Sequence, residues 1–107
     1  MEILSLEISK DVVASGSHYV GVVKTSFWEL VDCFGEPTIE SGYDKTTKEW
    51  ILAFTVKDDD GFEDIKVATI YDWKEVETPF GDYEWHVGGF SYDALELVER
   101  VIENARI

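Results

Sequence analysis

The chain has 107 residues, 45% hydrophobic and 14% aromatic, so it can bury the core of one domain and is too apolar for a disordered segment. Its 23 acidic and 9 basic side chains leave a formal charge of −14, which excludes direct binding of duplex DNA or anionic membranes. The lone cysteine, Cys33, excludes an internal disulfide, and no apolar run is long enough to span a bilayer.

Residues 2–9 alternate, with Leu4, Leu6 and Ile8 on one side and Ser5, Glu7 and Ser9 on the other, the period of a half-buried strand. Ile3 breaks the pattern and is assigned to an edge. This start lacks the basic stretch and cleavage site of a secretory signal. Residues 10–17 read as a loop. HYVGVVK (18–24) is a β-branched strand in which Gly21 marks a bulge or a close backbone approach. From Ser26 the period becomes helical. Phe27, Leu30, Val31 and Phe34 share a face, Ser26 and Glu29 make a capping box, and Gly35 and Pro37 end the helix. EWILAFTV (49–56) sets Trp50, Leu52, Phe54 and Val56 on one face. The charged turn KDDDGFED (57–64) joins it to IKVATIYDW (65–73) as a hairpin. After the loop 74–82 comes a third consecutive strand, YEWHVGG (83–89). Residues 91–107 form a helix capped by Ser91, with Leu95, Val98, Val101, Ile102 and Ala105 as its buried stripe. This order predicts a single α+β domain over 1–107, a largely antiparallel sheet of about five strands with two helices packed on one face.

Motifs for chemistry are few. DDDG (58–61) resembles a calcium loop, but three adjacent aspartates do not alternate as ligands must, and the twelfth position from Asp58 is Thr69. It reads as a solvated turn. One cysteine and two histidines give no zinc spacing, and Cys33 beside Phe34 reads as a small buried hydrophobe. Ser17 and His18 are neighbours on a strand, so they point apart and make no catalytic dyad. No phosphate-loop or dinucleotide fingerprint occurs, although Gly88 and Gly89 lead into a serine-capped helix whose amides suit an anion. The pattern points to no metal, no cofactor and no catalytic nucleophile.

The strand ends carry the remaining signal. ATIYDWKE (68–75) places Asp72, Trp73 and Lys74 together, and YEWHVGG places Trp85 and His86 before paired glycines. By alternation Asp72 and Lys74 share a face opposite Trp73, and His86 shares one with Glu84. Two readings stand open: core or edge packing of the tryptophans with an exposed Asp72–Lys74 ion pair, or a binding site. In the second, an indole or a tyrosine stacks on a base or other flat ring, Lys74 and His86 donate to phosphate or carbonyl oxygens, and Asp72 accepts from a ribose or base. Because the chain is acidic, either Lys45, Lys74 and His18 or His86 supply a local positive site, or the ligand contacts come mainly from backbone N–H groups.

SGSHYVG (15–21), FGEP (34–37), DKTTKEW (44–50), ATIYDWK (68–74) and EWHVGG (84–89) follow one another in an order and spacing that resemble a family of small tailed-bacteriophage proteins. Ser17 and Val87 depart from the family pattern, and the segment around VKDDDGFEDIK is longer than in the family. The resemblance implies a phage protein in the cytoplasm of an infected bacterium that counters host defence. One expectation is a sponge for a nucleotide-derived signal, binding through Ser17, His18, Lys45, Asp72, Trp73, Lys74, Trp85, His86, Gly88 and Gly89. Another is an acidic, nucleic-acid-mimicking inhibitor of a basic defence protein such as a CRISPR nuclease. A small enzyme acting on a nucleotide is the third, and a homodimer is the expected assembly.

Overall fold

The computed structural model describes residues 1–40 and 45–107. Five strands, β1 (Glu2–Ile8), β2 (His18–Thr25), β3 (Glu49–Lys57), β4 (Glu63–Tyr71) and β5 (Tyr83–Gly89), form one antiparallel sheet in the order β1-β3-β4-β5-β2. Two helices, α1 (Phe27–Phe34) and α2 (Asp93–Ala105), cover one face. The α+β architecture read from the sequence is the one observed.

The alternation in β3 sets the layering. Trp50, Leu52, Phe54 and Val56 are all buried toward the helices, and β4 and β5 add Ala68, Ile70, Trp85 and Val87. Onto them α1 lays Phe27, Leu30 and Phe34, while α2 lays Ala94, Leu97, Val98 and Ile102. The stripe of α2 is thus rotated from the predicted one. Leu95 and Val101 are only half-buried and Ala105 is exposed. Gly89 explains this: a Cβ there would collide with Ala94, so the bare backbone lets α2 sit down on Ala94.

Two bulges correct the simple alternation. In β1 the register shifts between Ile3 and Ser5, so Ile3, Leu6 and Ile8 oppose Val56, Phe54 and Leu52, and Leu4 is left exposed. In β2 the shift falls between Tyr19 and Gly21. Gly21 fulfils both meanings read from the sequence, since a Cβ there would lie 2.6 Å from Leu95 Cδ2. The extra residue, Val20, turns Tyr19 to the helix-free face of the sheet.

The α1 N-terminus is half the expected capping box. Ser26 Oγ accepts from the Glu29 amide at 3.1 Å, but the Glu29 carboxylate turns away to the Thr25 hydroxyl and to Arg106 Nη2 at 2.7 Å. Arg106 also donates to the Lys24 carbonyl, so the end of α2 is stapled to the start of α1. These donors hold the Glu29 carboxyl down at about 2, against an unfolded value of 4.5. The stabilisation is therefore complete above 4.5 and is lost as pH falls toward about 2. Arg106→Ala is expected to lower the thermal midpoint at neutral pH, with a deficit that shrinks in melts run progressively into acid.

Candidate functional site

Because β1 and β2 occupy opposite edges, residues 9–17 must cross the sheet. Ser9 donates to the Ile51 carbonyl, and further along Ala14 and Ser17 stand beside Thr69 and Tyr71 on the helix-free face. Four aromatic rings converge next to this crossing. The register pairs Tyr71 of β4 with His86 of β5, the bulge places Tyr19 across from Gly88, and Trp73 falls two residues beyond Tyr71 on the same side. Trp73 stacks on His86 with ring centres 6.0 Å apart and planes at 21°. Tyr19 and Tyr71 meet the imidazole edge-on at 5.1 and 5.5 Å.

These four rings line an open pocket of about 290 Å³. Through Tyr19, Tyr71 and Trp73 it adjoins a second of about 310 Å³, bordered by Ser17, His18, Thr46, Glu49, Thr69 and Gly88. Gly88 is required in the floor, because a Cβ there would lie 2.5 Å from Thr69 Oγ1. Two cations stand beside the indole: Lys45 Nζ and Lys74 Nζ lie 5.4 and 5.9 Å from the Trp73 ring centre.

The backbone that presents Trp73 is pinned from three directions. Asp72 is fully buried and accepts from Thr47 N at 2.7 Å, Thr47 Oγ1 at 2.5 Å and Lys48 N at 3.3 Å. The Trp73 amide donates to the Tyr83 hydroxyl, and the Lys74 amide donates to the Lys45 carbonyl at 2.7 Å. Thr47 further bonds Thr78, which draws in the following loop. Lys74 has φ 57°, a left-handed value that costs a non-glycine residue about 1 kcal/mol and is found most often where a site demands it.

Ser17, His18, Trp73, His86 and Gly88 therefore line one cleft, and Lys45 and Lys74 stand beside its Trp73 ring. Asp72, Trp85 and Gly89 do not. Asp72 lines neither pocket: it is fully buried, its carboxylate is taken up by Thr47 and Lys48, and it is no exposed partner of Lys74. Trp85 is sealed in the core against Trp50 and Tyr83, with its indole N–H unpartnered among the described residues. Gly89 faces α2. The expectation that Lys74 shares the face of Asp72 also fails, because β4 ends at Tyr71 and strand alternation does not carry through the left-handed turn at Lys74. Asp44, which opens the block DKTTKEW, lies outside the described residues.

Several cleft residues are not singled out by the sequence, among them Tyr19, Tyr71 and Glu49. Tyr71 was within reach, being two residues before Trp73 on one strand face. Tyr19 required the bulge that Gly21 hinted at. Glu49 borders the floor, and burial alone pushes its carboxyl above the usual range. The native chain thus keeps this proton to higher pH than the unfolded chain does. That cost to stability is fully present above the native value and is relieved as pH falls toward the ordinary one. Glu49→Gln is accordingly expected to raise the thermal midpoint at neutral pH, with a smaller gain in mild acid.

Elsewhere the candidates are spent on structure. Asp58 Oδ1 accepts from the amides of Asp60 and Phe62, closing its own turn. Burial pushes the Cys33 thiol up, away from the thiolate. A cavity of about 220 Å³ between β2 and α2 has Arg106 as one wall, and that guanidinium is already engaged by Glu29. Among the described residues no group of three or more His, Cys, Asp or Glu side chains is placed to hold a metal ion, and no helix is long and apolar enough to cross a membrane. In comparisons with known proteins, the chain matches no family model, no curated protein and no solved structure.

Proposed function

We propose that the protein is a phage counter-defence binding protein that sequesters a small nucleotide-derived signalling molecule in the cleft between Tyr19, Tyr71, Trp73 and His86. The observation that carries this reading is the combination of stacked rings and neighbouring cations: Trp73 lies over His86, and Lys45 and Lys74 hold their ammonium groups beside the same indole. Aromatic faces take a flat ring of any sequence, and neighbouring ammonium groups take its phosphate. The site is well prepared for this, since the amide bonds at Trp73 and Lys74 and the buried Asp72 fix the platform before any ligand arrives. The phage setting rests on the five sequence blocks.

The formal charge of −14 opposes an anionic ligand at long range. Contacts at the Trp73 ring lie inside a Debye length, about 8 Å at physiological salt, so the ammonium groups of Lys45 and Lys74 beside it act on a bound phosphate more strongly than acids farther away than that length. Added salt up to the physiological range should therefore weaken binding only slightly, because it screens the long-range repulsion as well as the local attraction.

The test is capture and release. The protein is incubated with a panel of cyclic and linear nucleotides, separated from free ligand, heated, and the supernatant analysed by mass spectrometry. Intact ligand released on heating supports sequestration. Altered products indicate an enzyme, and capture of no nucleotide at any concentration up to millimolar overturns the reading.

A further inference from the structure

Resting on that reading of the cleft, we infer that the site selects a guanine-type ring, with Glu49 as its specificity-determining residue. The cleft is lined by aromatic faces, threonines, glycine, Ser17 and two histidines, with Glu49 as its one carboxylate among the described residues. Glu49 borders the same cavity as Trp73, Tyr71 and Thr46, at the β3 position paired with Tyr71. Its N–H and C=O both bond Ile39, and it is the register partner of Tyr71, which fixes the backbone from which the side chain projects.

A half-buried carboxylate needs N–H donors, and none from the described residues reaches it. Its desolvation is uncompensated, as the raised carboxyl shows. A ligand that supplies the donors gains what the protein lacks. Among flat rings that stack on indole and imidazole, guanine presents two adjacent N–H donors, N1–H and the exocyclic amine, in the bidentate spacing of a carboxylate. Hypoxanthine offers one. Adenine offers a donor next to an acceptor, and its ring nitrogen would face the carboxylate lone pairs. The phosphate of the same nucleotide is left to Lys45 and Lys74 beside the indole.

The experiment is calorimetric titration of the full chain, wild type and Glu49→Gln, with guanosine, inosine and adenosine 5′-monophosphates at neutral pH. The wild type is expected to favour guanosine over adenosine by roughly 10- to 100-fold, with inosine between them. Glu49→Gln is expected to bring the two within a few-fold, chiefly by weakening guanosine, while adenosine binding persists because an amide can pair with its donor–acceptor edge. A cooperative melt of the variant, at or above the wild-type midpoint, verifies its fold. Equal binding of guanosine and adenosine by the wild type, or an undiminished guanosine preference in Glu49→Gln, overturns the assignment of Glu49 and leaves the ring-binding cleft standing. Failure of all three nucleotides to bind the wild type overturns the selectivity together with the cleft.

Discussion

Asp72→Ala is expected to cost about 2–4 kcal/mol of folding stability, a large share of the roughly 5–15 kcal/mol available to a domain of this kind. Its carboxylate is fully buried and gathers two backbone amides and a hydroxyl from Thr47 and Lys48. Truncation leaves those donors facing a void, and each unsatisfied buried donor costs about 1–3 kcal/mol, offset in part where water enters. Asp72→Asn should cost less, because its carbonyl oxygen can still take the Thr47 amide and the Thr47 hydroxyl can rotate to accept from the new amide. Denaturant melts of the two variants check the order. Equal stability of Asp72→Ala and wild type would contradict the scaffold role. Because the 45–48 segment also carries the Lys45 carbonyl that receives the Lys74 amide, ligand affinity should fall in both variants even below their unfolding transitions.

The second large effect is expected at Trp73. It is 38% exposed and stacks only within the cleft, so Trp73→Ala should leave the fold nearly intact. Loss of one base-stacking platform is worth about 1–3 kcal/mol, which weakens a nucleotide roughly 5- to 150-fold. Trp73→Phe keeps a smaller platform and should fall between. The pair is measured by calorimetry alongside thermal melts. Unchanged affinity in a folded Trp73→Ala would remove stacking on this ring from the account.

These two neighbours show where the sequence was legible and where it was not. The period of two in β3 and the helical spacing of Phe27, Leu30 and Phe34 located the elements and the layer between them, because burial on one face leaves a pattern along the chain. Side-chain direction past the end of a strand leaves no such pattern. Asp72, Trp73 and Lys74 were recognised as a group, but which of them faced a ligand depended on where β4 stopped and on a left-handed residue with no glycine to mark it. Trp85 and Trp73 look equivalent in sequence, each beside a polar residue at a strand end. Alternation within β5 buries the first with Val87 and exposes His86, whereas Trp73 follows Tyr71 onto the other face. Glu49 is invisible for a different reason: a glutamate opening a strand reads as an exposed start, whereas in the fold it is half-buried and borders the same cavity as Ala14, Ser17 and Thr46.

Stabilising and destabilising features meet at this cleft. A left-handed lysine, an uncompensated carboxylate and an open cluster of aromatic rings each lower stability or solubility, while the bonds of buried Asp72 to Thr47 and Lys48 restore order beside them. A chain needing only a folded acidic surface would have no use for the first three.

The most direct measurement is an NMR titration of isotope-labelled protein with guanosine 5′-monophosphate, following the indole N–H signals of all four tryptophans and the imidazole of His86. The account expects the largest changes at Trp73, His86 and the Gly88 amide, with buried Trp50 and Trp85 nearly silent. Signals that stay fixed at millimolar nucleotide, or that move instead at Trp28, whose ring stacks on Phe80 at the exposed surface of α1, would contradict it.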